Sequence, residues 1–444
     1  MDSQQQGQQN QSAYQQDQLD ALCRDPYPLY TRARATDGLT YVPELCAWLV
    51  ARDADVREVL RRPEDFSSAN ALSPPILPAP AALAELGPAF GGQRFVVSAD
   101  GAEHERLRAP LTRALSATRV AALVPYAAER ANALIDDFVS ESGAESESAG
   151  RAELMAAYAM RLPGEVIGRV VGLDPVDVEP VLQGGHRVVE LLFRPLSEAE
   201  QVAAAKDVAA MHAVLDTYVR ARHAEPRDDL CSVLVADMLP GEGEGEGEGE
   251  GEGGIEGGSG GELTVSQSGD VVAHLQNFLL AGHLTTTALI GTMLLHLLRH
   301  PAQWELLCAE PERIPAAVEE AARYDTALQA FHRVTTRPVT LAGSELPAGA
   351  DVLVAFGAAG RDGARHERPD AFDIERPPEG RRHLAFGLGV HGCVGARLAR
   401  EQLRLTLELF TRRFPGLRLD EERLPVTMRP SLIHRSPEAL HVRW

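Results

Sequence analysis

The run of residues from Phe278 to Leu298, FLLAGHLTTTALIGTMLLHLL, contains no Asp, Glu, Lys or Arg. A segment of this length and composition can span a bilayer, or it can form a helix that protein surrounds on all sides. The run carries His283, His296 and three consecutive threonines, and no second span or basic flanking loop accompanies it, which is unusual for a membrane helix. We therefore predict a buried central helix in a large soluble protein, with no membrane association.

The rest of the sequence predicts a mainly α fold with a small β region. Apolar residues at helical spacing and acidic starts mark DPVDVEPVLQGGHRVVELLF and SEAEQVAAAKDVAAMHAVLDTYVRAR as helices. The turns and β-branched residues of TLAGSELPAGADVLVAF indicate a small sheet, and GLTYVPELCAWLVAR resembles an N-terminal one. The length of 444 residues, with a hydrophobic fraction of 44%, allows one large core or two.

Two low-complexity segments define the predicted domain organisation. Residues 1–23 begin with the Gln-rich run MDSQQQGQQNQSAYQQDQ, and residues 240–262 alternate Gly and Glu in PGEGEGEGEGEGEGGIEGGSGGE. Such compositions bury too little apolar surface to fold, and the like charges of the second run repel each other. We predict a disordered tail at 1–23 and a single domain at 24–444 with a flexible insertion at 240–262. The functional alternative for the insertion is an acidic lure for a partner or a cation.

Charge and cysteine usage disfavour several classes of protein. A net charge of -21 disfavours nucleic acid as a partner, because phosphate binding needs a concentrated basic face. The five cysteines are scattered and form no Cys-x-x-Cys pair, which argues against a disulfide framework or a zinc ribbon. The first residues lack the basic start and apolar run of a secretory signal. We expect a reducing, cytoplasmic location.

Cys393 lies between glycines at the start of the predicted helix CVGARLAREQLRLTLELFTRRF. Unpaired backbone N–H groups and the positive end of the helix dipole favour a thiolate there, and a thiolate is a nucleophile or a metal ligand. The preceding Gly387, Gly389 and Gly392 leave room for a large flat group to approach the sulfur. Zinc is a poor candidate, since only His391 could join the cysteine as a ligand. A catalytic nucleophile and an inert cysteine in a glycine-rich turn both remain open.

The stretch FGLGVHGCVG resembles the haem-binding signature of the cytochrome P-450 family in its soluble bacterial form. The resemblance extends over nearly all of the predicted domain. It implies that Cys393 is the axial thiolate on the iron of heme b (iron protoporphyrin IX), that His391 touches a propionate, and that Phe386 packs beside the sulfur; Gly387 and Gly395 are further fixed positions of the signature. Thiolate ligation favours O–O cleavage. The implied fold places the haem between a central oxygen-binding helix and the helix that follows the cysteine loop.

Three other motifs resemble those of the same family and occur in its order. His104 and Arg108 in HERLR are spaced to grip the haem carboxylates from one helix, although a solvated helix face would show the same spacing. Arg333 in FHRVTT would bind a propionate. Glu320 and Arg323 in EEAARY would form a buried ion pair that holds the loop before the cysteine.

The motif AGHLTT resembles the centre of the family's oxygen-binding helix. By that resemblance, Ala281 and Gly282 would leave room for dioxygen, and Thr285, with Thr286 as a second hydroxyl, would donate a hydrogen bond and relay protons. The simpler alternative is that these threonines bond to the carbonyl one turn back. Leu284 stands where the family usually has Asp or Glu, and a leucine cannot relay a proton.

The resemblance implies a monooxygenase that inserts an oxygen atom from O2 by hydroxylation or epoxidation. A ferredoxin or ferredoxin reductase would supply the electrons. Four arginines could form a basic patch on the cysteine side of the haem that binds this donor, or they could be scattered and solvated: Arg106, Arg113, Arg397 and Arg400. Leu284, Leu328 and Leu432 are predicted to line the substrate pocket. A mostly apolar pocket predicts a bulky, largely hydrophobic small molecule, such as a polyketide or a peptide-derived natural product of secondary or antibiotic metabolism.

Two other functions remain open from the sequence. The first is a haem-thiolate enzyme of atypical chemistry, such as phenol coupling or peroxide-driven oxidation, which Leu284 favours because it removes the usual proton donor. The second is a non-catalytic recruitment module, for which an intact Cys393, Thr285 and propionate grip would be unnecessary.

Overall fold

The computed structural model describes residues 21–72, 78–86, 95–143, 150–193, 196–239, 263–431 and 433–444. The insertion predicted at 240–262 and the predicted pocket residue Leu432 lie outside them. Of the predicted tail, only residues 21–23 are described, and there the Cys23 carbonyl accepts a hydrogen bond from the Ser431 backbone N–H at 3.2 Å.

Helices make up most of the described chain, which confirms the predicted mainly α class. In chain order they are α1 (Tyr27–Ala35), α2 (Asp53–Leu60), α3 (Pro80–Leu86), α4 (Gly101–Ala114), α5 (Ala117–Glu141), α6 (Arg161–Val171), α7 (Pro175–Phe193), α8 (Glu198–Ala224), α9 (Leu230–Met238), α10 (Val265–Arg299), α11 (Pro301–Ala309), α12 (Ile314–Tyr324), α13 (Phe356–Ala359) and α14 (Ala396–Arg413).

The β region is small, as predicted. Its strands are β1 (Thr40–Val42), β2 (Ala47–Val50), β3 (Phe66–Ser67), β4 (Arg151–Glu153), β5 (Ala330–Thr335), β6 (Val339–Leu341), β7 (Ser344–Leu346), β8 (Asp351–Ala355), β9 (Arg418–Leu419) and β10 (His441–Arg443). The largest sheet has the order β1-β2-β8-β5-β3, in which only β2 and β8 run parallel. Both predicted β regions are therefore confirmed, and the sheet joins them into one unit that carries Arg333 on β5.

The apolar run at Phe278–Leu298 lies in the central helix α10, which is 35 residues long. The helix begins with a capping box, in which the Thr264 hydroxyl accepts a hydrogen bond from the Gln267 backbone N–H and the Gln267 side chain accepts one from the Thr264 backbone N–H. By length and composition α10 alone among the described helices could cross a membrane, but 72% of its most apolar window is buried by the rest of the chain. This burial confirms the prediction of a central core helix.

Helix α10 packs against α6, α8, α12 and α14, and together with α5 these helices enclose the main hydrophobic core. Helix α14 begins at Ala396, directly after the cysteine loop. The two elements expected to flank the cofactor, α10 and the helix after Cys393, are thus neighbours in the fold.

Candidate active site

The cysteine loop is a tight turn that glycines make possible. Gly387 and Gly389 adopt positive φ angles of 69° and 70°, a region that side chains disfavour. A Cβ at Gly389 would also lie 2.7 Å from the carbonyl oxygen of Leu60. The Cys393 backbone N–H donates to the Phe386 carbonyl at 2.8 Å, which closes the loop. The sulfur is thereby held at a defined position before α14.

The Cys393 sulfur faces a space that protein surrounds. The residue is exposed by its accessible surface, yet burial raises the pKa of its thiol, against smaller opposing contributions from the Gly395 N–H and from Arg108. The sulfur is therefore accessible and yet surrounded by protein, because it borders an internal space. The N–H groups at the helix start act in the direction expected, toward a thiolate, but desolvation of the sulfur outweighs them. A coordinated metal ion would supply the missing positive charge.

Four nitrogen-bearing side chains converge beside the cysteine loop. The rings of His104 and His391 lie 4.2 Å apart between centroids. Arg108 donates to the Gly392 carbonyl at 2.5 Å. Burial, together with the nearby Arg333, lowers the pKa of His391 to about 4. Helix α4, strand β5 and the cysteine loop therefore bring together the residues predicted to grip the haem carboxylates.

Two of these side chains, His104 and Arg333, have unmet hydrogen-bonding or charge requirements that an anionic ligand would satisfy. The Nε2 atom of His104 is buried and has no hydrogen-bond partner among the described residues. Arg333 is only 4% exposed and donates to the carbonyl of its neighbour His332, and no described carboxylate forms an ion pair with it. Burial lowers its pKa to about 10, although the nearby charge of Asp100 acts in the opposite direction. A buried guanidinium without a directly paired counterion is costly, and the carboxylates of a haem would provide one.

One carboxylate, Asp100, does lie in this cluster. Ser67 and Ser68 donate to it, and although burial acts in the opposite direction, these bonds hold the pKa of Asp100 below its usual value. Ser68 also contacts His391, with 3.1 Å between its Oγ and the ring Nε2. Asp100 is thus largely occupied by the serines, and it faces His391 both through Ser68 and directly, with 3.8 Å between its Oδ1 and the ring Nε2. Sequence reasoning missed Asp100 and Ser68, because their approach to His391 is visible only in the tertiary structure.

Glu320 and Arg323 form a fully buried pair, as predicted. Arg323 donates to both carboxylate oxygens of Glu320, at 2.8 and 2.7 Å, and both side chains are 0% exposed. The remaining guanidinium protons go to the carbonyls of Gly360, Pro369 and Ala371. Arg376 adds a second cation, 3.1 Å from Glu320. It lies in the connection between β8 and the cysteine loop, and sequence reasoning did not assign it a role.

Phe386 packs in the cysteine loop under a basic residue. The guanidinium of Arg400 lies 4.2 Å from the centroid of the Phe386 ring and is paired with Glu319 at 2.6 Å. Of the predicted basic patch, Arg113 is paired likewise, with Asp237, whereas Arg397 is exposed. Acidic partners therefore neutralise two of the four arginines.

Thr285 and Ala281 lie on one side of α10. The Thr285 hydroxyl donates to the Ala281 carbonyl at 2.8 Å. This is the bond to the carbonyl one turn back that the sequence offered as the simpler alternative. Ala281 is exposed although it lies in the middle of a buried helix, which indicates that this side borders open space. Thr286 is buried, and Leu284 is half-buried. The hydroxyl of Thr285 is therefore at the edge of that space.

Gly282 has a packing role that the sequence did not reveal. A Cβ at this position would lie 2.5 Å from Cδ1 of Ile167 on α6. The glycine thus permits the close crossing of α6 and α10. Its predicted role in leaving room for dioxygen remains a prediction.

The chain is similar to proteins of one known family. Residues 258–442 match the family model described as cytochrome P-450. Cytochrome P-450 107B1 of Saccharopolyspora erythraea is 31% identical over 432 residues and 96% of each chain is covered. Nocardicin C N-oxygenase of Nocardia uniformis is 33% identical, with 96% of this chain and 97% of that protein covered.

Two further similarities concern a hydroxylating relative and a solved structure. Mycinamicin IV hydroxylase/epoxidase of Micromonospora griseorubida is 32% identical, covering 90% of this chain and 89% of that protein. The structure of cytochrome P-450 CREJ in complex with (4-ethylphenyl) dihydrogen phosphate has a TM-score of 0.81 at 26% identity and covers 95% of this chain and 97% of that one.

The fold and the relatives define a haem-dependent oxidoreductase that uses O2, a substrate and an electron donor. The chain belongs to the cytochrome P-450 family, and it is a monooxygenase of that family.

Proposed function

We propose that this monooxygenase uses heme b to insert one oxygen atom of O2, by hydroxylation or epoxidation, into a bulky and largely apolar natural product. The observation that carries the proposal is the unpartnered His104 Nε2 and the buried Arg333, which forms no ion pair with a described carboxylate, beside the space that Cys393 borders. The names of the relatives, a nocardicin C N-oxygenase and a mycinamicin IV hydroxylase/epoxidase, support a substrate of polyketide or peptide origin in antibiotic biosynthesis.

Each predicted residue has a role in this proposal. Cys393 would ligate the iron, and His104, Arg108, Arg333 and His391 would hold the haem carboxylates. When bound, the haem supplies the one-electron and O2 chemistry, which thiolate ligation directs toward O–O cleavage. The protein orients the substrate and excludes water from the site.

Proton delivery must differ from that of relatives with an acid before the threonine. Leu284 has no exchangeable proton, and Thr285 donates its only one to the Ala281 carbonyl. To donate toward the open side of α10, the hydroxyl must leave this bond, which is worth about 1 kcal/mol. A water molecule or a polar group of the substrate could then donate to the Thr285 oxygen. Thr285 is therefore a relay whose proton source lies outside α10.

The electron donor is proposed to be a ferredoxin or a ferredoxin reductase in the cytoplasm. Arg397 is exposed just after the cysteine loop, so a local positive charge is available on a strongly acidic chain. Exposed charges of this kind affect the rate of association more than the final affinity.

The absorption spectrum of the reduced carbonyl complex tests the proposal. We expect wild type to show the red-shifted thiolate band and Cys393→Ala to lose it. Cys308→Ala is the matched control, because Cys308 is a half-buried cysteine on α11 outside the cluster, and it should leave the band unchanged. A wild-type spectrum without the band, or its persistence in Cys393→Ala, would refute thiolate ligation.

The atypical chemistries remain the second candidate, and Leu284 is the observation that favours them. They are distinguished by the oxidant: a peroxide-driven enzyme forms product from hydrogen peroxide without O2 or an electron donor, whereas the proposed enzyme requires both. A non-catalytic recruitment module is disfavoured by the complete set of grip residues and by Thr285 at the open side of α10.

A further inference from the structure

A carboxylate on α12 joins two residues that lie on either side of Cys393 in the sequence. Glu319 accepts two hydrogen bonds from the guanidinium of Arg400 on α14, at 2.6 and 2.9 Å. It also lies 3.2 Å from the ring Nε2 of His383, which precedes the cysteine loop. Helix α12 is thus tied both to the entry of the cysteine loop and to the helix that follows it.

The proton on the His383 ring faces Glu319. The Ala385 backbone N–H donates to the ring Nδ1 at 3.1 Å, so Nδ1 is an acceptor and Nε2 carries the proton in the neutral ring. Nε2 therefore donates to the carboxylate, and the His383 side chain is only 3% exposed. Glu319 thus receives hydrogen bonds from one neutral donor and from one cation, Arg400.

Glu319 carries a full negative charge at neutral pH. Although burial acts in the opposite direction, the hydrogen bonds from His383 and Arg400 lower the pKa of Glu319 to about 2. The side chains of Glu319 and Arg400 are 28% and 39% exposed, so the solvent screens their charges only in part. The carboxylate therefore offsets most of the positive charge that Arg400 would otherwise present to its surroundings.

The cation of this pair lies close to the Cys393 sulfur. The Arg400 guanidinium is 4.2 Å from the centroid of the Phe386 ring, and the Phe386 carbonyl accepts the hydrogen bond that closes the cysteine loop. The charge of Arg400 opposes the rise in the pKa of the Cys393 thiol that burial causes, after larger contributions from the Gly395 N–H and Arg108. Arg108 forms no ion pair with a described carboxylate, whereas Arg400 has one beside it.

We propose that Glu319 is a positioning residue that sets how much positive charge Arg400 presents to the Cys393 thiolate, and thereby sets the reduction potential of the iron. This inference rests on the proposed function, because it needs the bond between thiolate and iron, and it adds a control of electron transfer. A positive charge near the sulfur stabilises the reduced state, which holds one more electron. An ionised Glu319 should therefore keep the potential lower than an unpaired Arg400 would.

The test measures the reduction potential of the purified holoenzyme by a redox titration followed in the haem absorption band. Glu319→Gln keeps the shape of the side chain but leaves Arg400 without an anion, so the ratio of ferrous to ferric protein at a fixed potential should rise about threefold. Arg400→Gln leaves the negative charge of Glu319, so this ratio should fall about threefold. For a one-electron couple, a threefold change corresponds to about 28 mV.

The opposite signs separate a charge effect from a structural one, because a disturbed cysteine loop gives no reason for the two variants to shift the potential in opposite directions. The double variant Glu319→Gln/Arg400→Gln removes both charges, and its ratio should lie within about twofold of that of wild type. Arg400→Lys keeps the charge without the two parallel N–H bonds, so it should restore most of the wild-type potential.

Arg404→Gln is the matched control. Arg404 lies on α14 one turn further from Cys393, and it pairs with Glu401 at 2.8 Å and with Glu408. Its side chain is 32% exposed, close to the value for Arg400, but it does not contact the cysteine loop among the described residues. Arg404→Gln should leave the reduction potential unchanged.

The inference is overturned if the potential does not rise in Glu319→Gln, if it does not fall in Arg400→Gln, or if Arg404→Gln shifts it as much as either. Glu319→Gln, the milder change, decides alone if Arg400→Gln does not retain haem. The reduced carbonyl spectrum separates this failure from that of the proposed function. If wild type shows the thiolate band but the potentials do not shift as stated, only the role of Glu319 is wrong; if the band is missing, the proposed function itself fails.

Discussion

Gly282 shows how one residue can be constrained from outside the reaction site. It lies where α10 crosses α6, and a Cβ there would lie 2.5 Å from Cδ1 and 2.8 Å from Cγ1 of Ile167. The threonine motif of α10 can be held close to α6 only because this side chain is missing. The glycine is therefore a packing requirement, whatever room it leaves for dioxygen.

We predict that Gly282→Ala lowers the free energy of unfolding by about 1–2 kcal/mol, because overpacking outweighs the gain in helix propensity. Ile167→Ala in the same chain removes the two clashing atoms, so the double variant should be more stable than the sum of the single effects by about 1 kcal/mol. Urea unfolding of all three variants measures this coupling.

Gly416→Ala controls for the effect of replacing glycine by alanine without a steric clash, since no neighbouring atom lies within 4 Å of a Cβ at Gly416. It should leave the unfolding midpoint almost unchanged. Strict additivity of Gly282→Ala and Ile167→Ala would contradict the packing argument.

At the scale of elements, helix α12 anchors the approach to the cysteine loop. Its Arg323 uses five donor contacts, two to Glu320 and three to the carbonyls of Gly360, Pro369 and Ala371. These carbonyls belong to the irregular segment between β8 and the cysteine loop, which has little regular structure of its own. The buried pair therefore organises a long connection by satisfying its backbone.

We predict that Arg323→Lys lowers the free energy of unfolding by about 3–5 kcal/mol, because an ammonium cannot reproduce the planar fork and leaves buried acceptors unpaired. Haem retention after gel filtration should fall as well, since the disturbed segment leads to Cys393. Urea unfolding and the ratio of haem to protein absorbance measure the two effects.

The chain offers a matched control with the same spacing. Glu310 and Arg313 form another Glu-x-x-Arg pair just before α12, but its side chains are 41% and 32% exposed. Arg313→Lys should change neither the free energy of unfolding nor haem retention appreciably, because exposed ion pairs contribute little to stability. If Arg323→Lys and Arg313→Lys lowered the free energy of unfolding equally, the contribution of such a pair to stability would depend on its spacing and not on its burial.

At the scale of the whole molecule, a buried carboxylate joins distant parts of the chain. Asp325 accepts hydrogen bonds from Tyr27 at 2.8 Å, from His296 at 2.8 Å and from Arg435 at 2.6 Å. Tyr27 lies on α1, His296 on α10 and Arg435 between β9 and β10. Although burial acts in the opposite direction, the hydrogen bond from His296 and the charge of Arg435 hold the pKa of Asp325 well below its usual value. The same network fixes the chain near the C-terminus at Arg435.

Two buried histidines predict how stability depends on pH. Burial lowers the pKa of both His283 and His366 from 6.5 to about 4. For His283, the neighbouring His186 contributes to the same shift. Each has one ring nitrogen without a partner among the described residues, His283 Nδ1 and His366 Nε2, so a second proton would find no acceptor. The unfolded chain therefore binds more protons than the folded chain between pH 6.5 and 4, and stability falls as pH falls through that window.

We predict a loss of about 1 kcal/mol per histidine between pH 7 and pH 5, a discounted value for partly relaxed sites. Urea unfolding of the holoenzyme at several pH values measures the slope. His283→Gln and His366→Asn keep the bonding nitrogen but do not titrate, so the double variant should show a flatter profile. A slope identical to that of wild type would rule out these histidines as its source.

Local patterns in the sequence predicted much of this protein. The uncharged run of α10, the helix after Cys393 and the two β regions follow from residue type and spacing within one segment, and the buried Glu320–Arg323 pair follows from the resemblance of its motif. Such features are predictable because periodicity and short motifs report on backbone geometry and on one face of an element.

Other features depended on segments that are far apart in the chain. Desolvation of the Cys393 sulfur, the serines that hold Asp100, the approach of Ile167 to Gly282 and the bridge between Leu328 and His434 have no signature in any one stretch. The resemblance of its motifs predicted from the sequence alone which residues ligate iron and grip a haem. Only the tertiary structure decided which groups are buried without a partner, because burial and direction arise from contacts between elements and not from spacing along the chain.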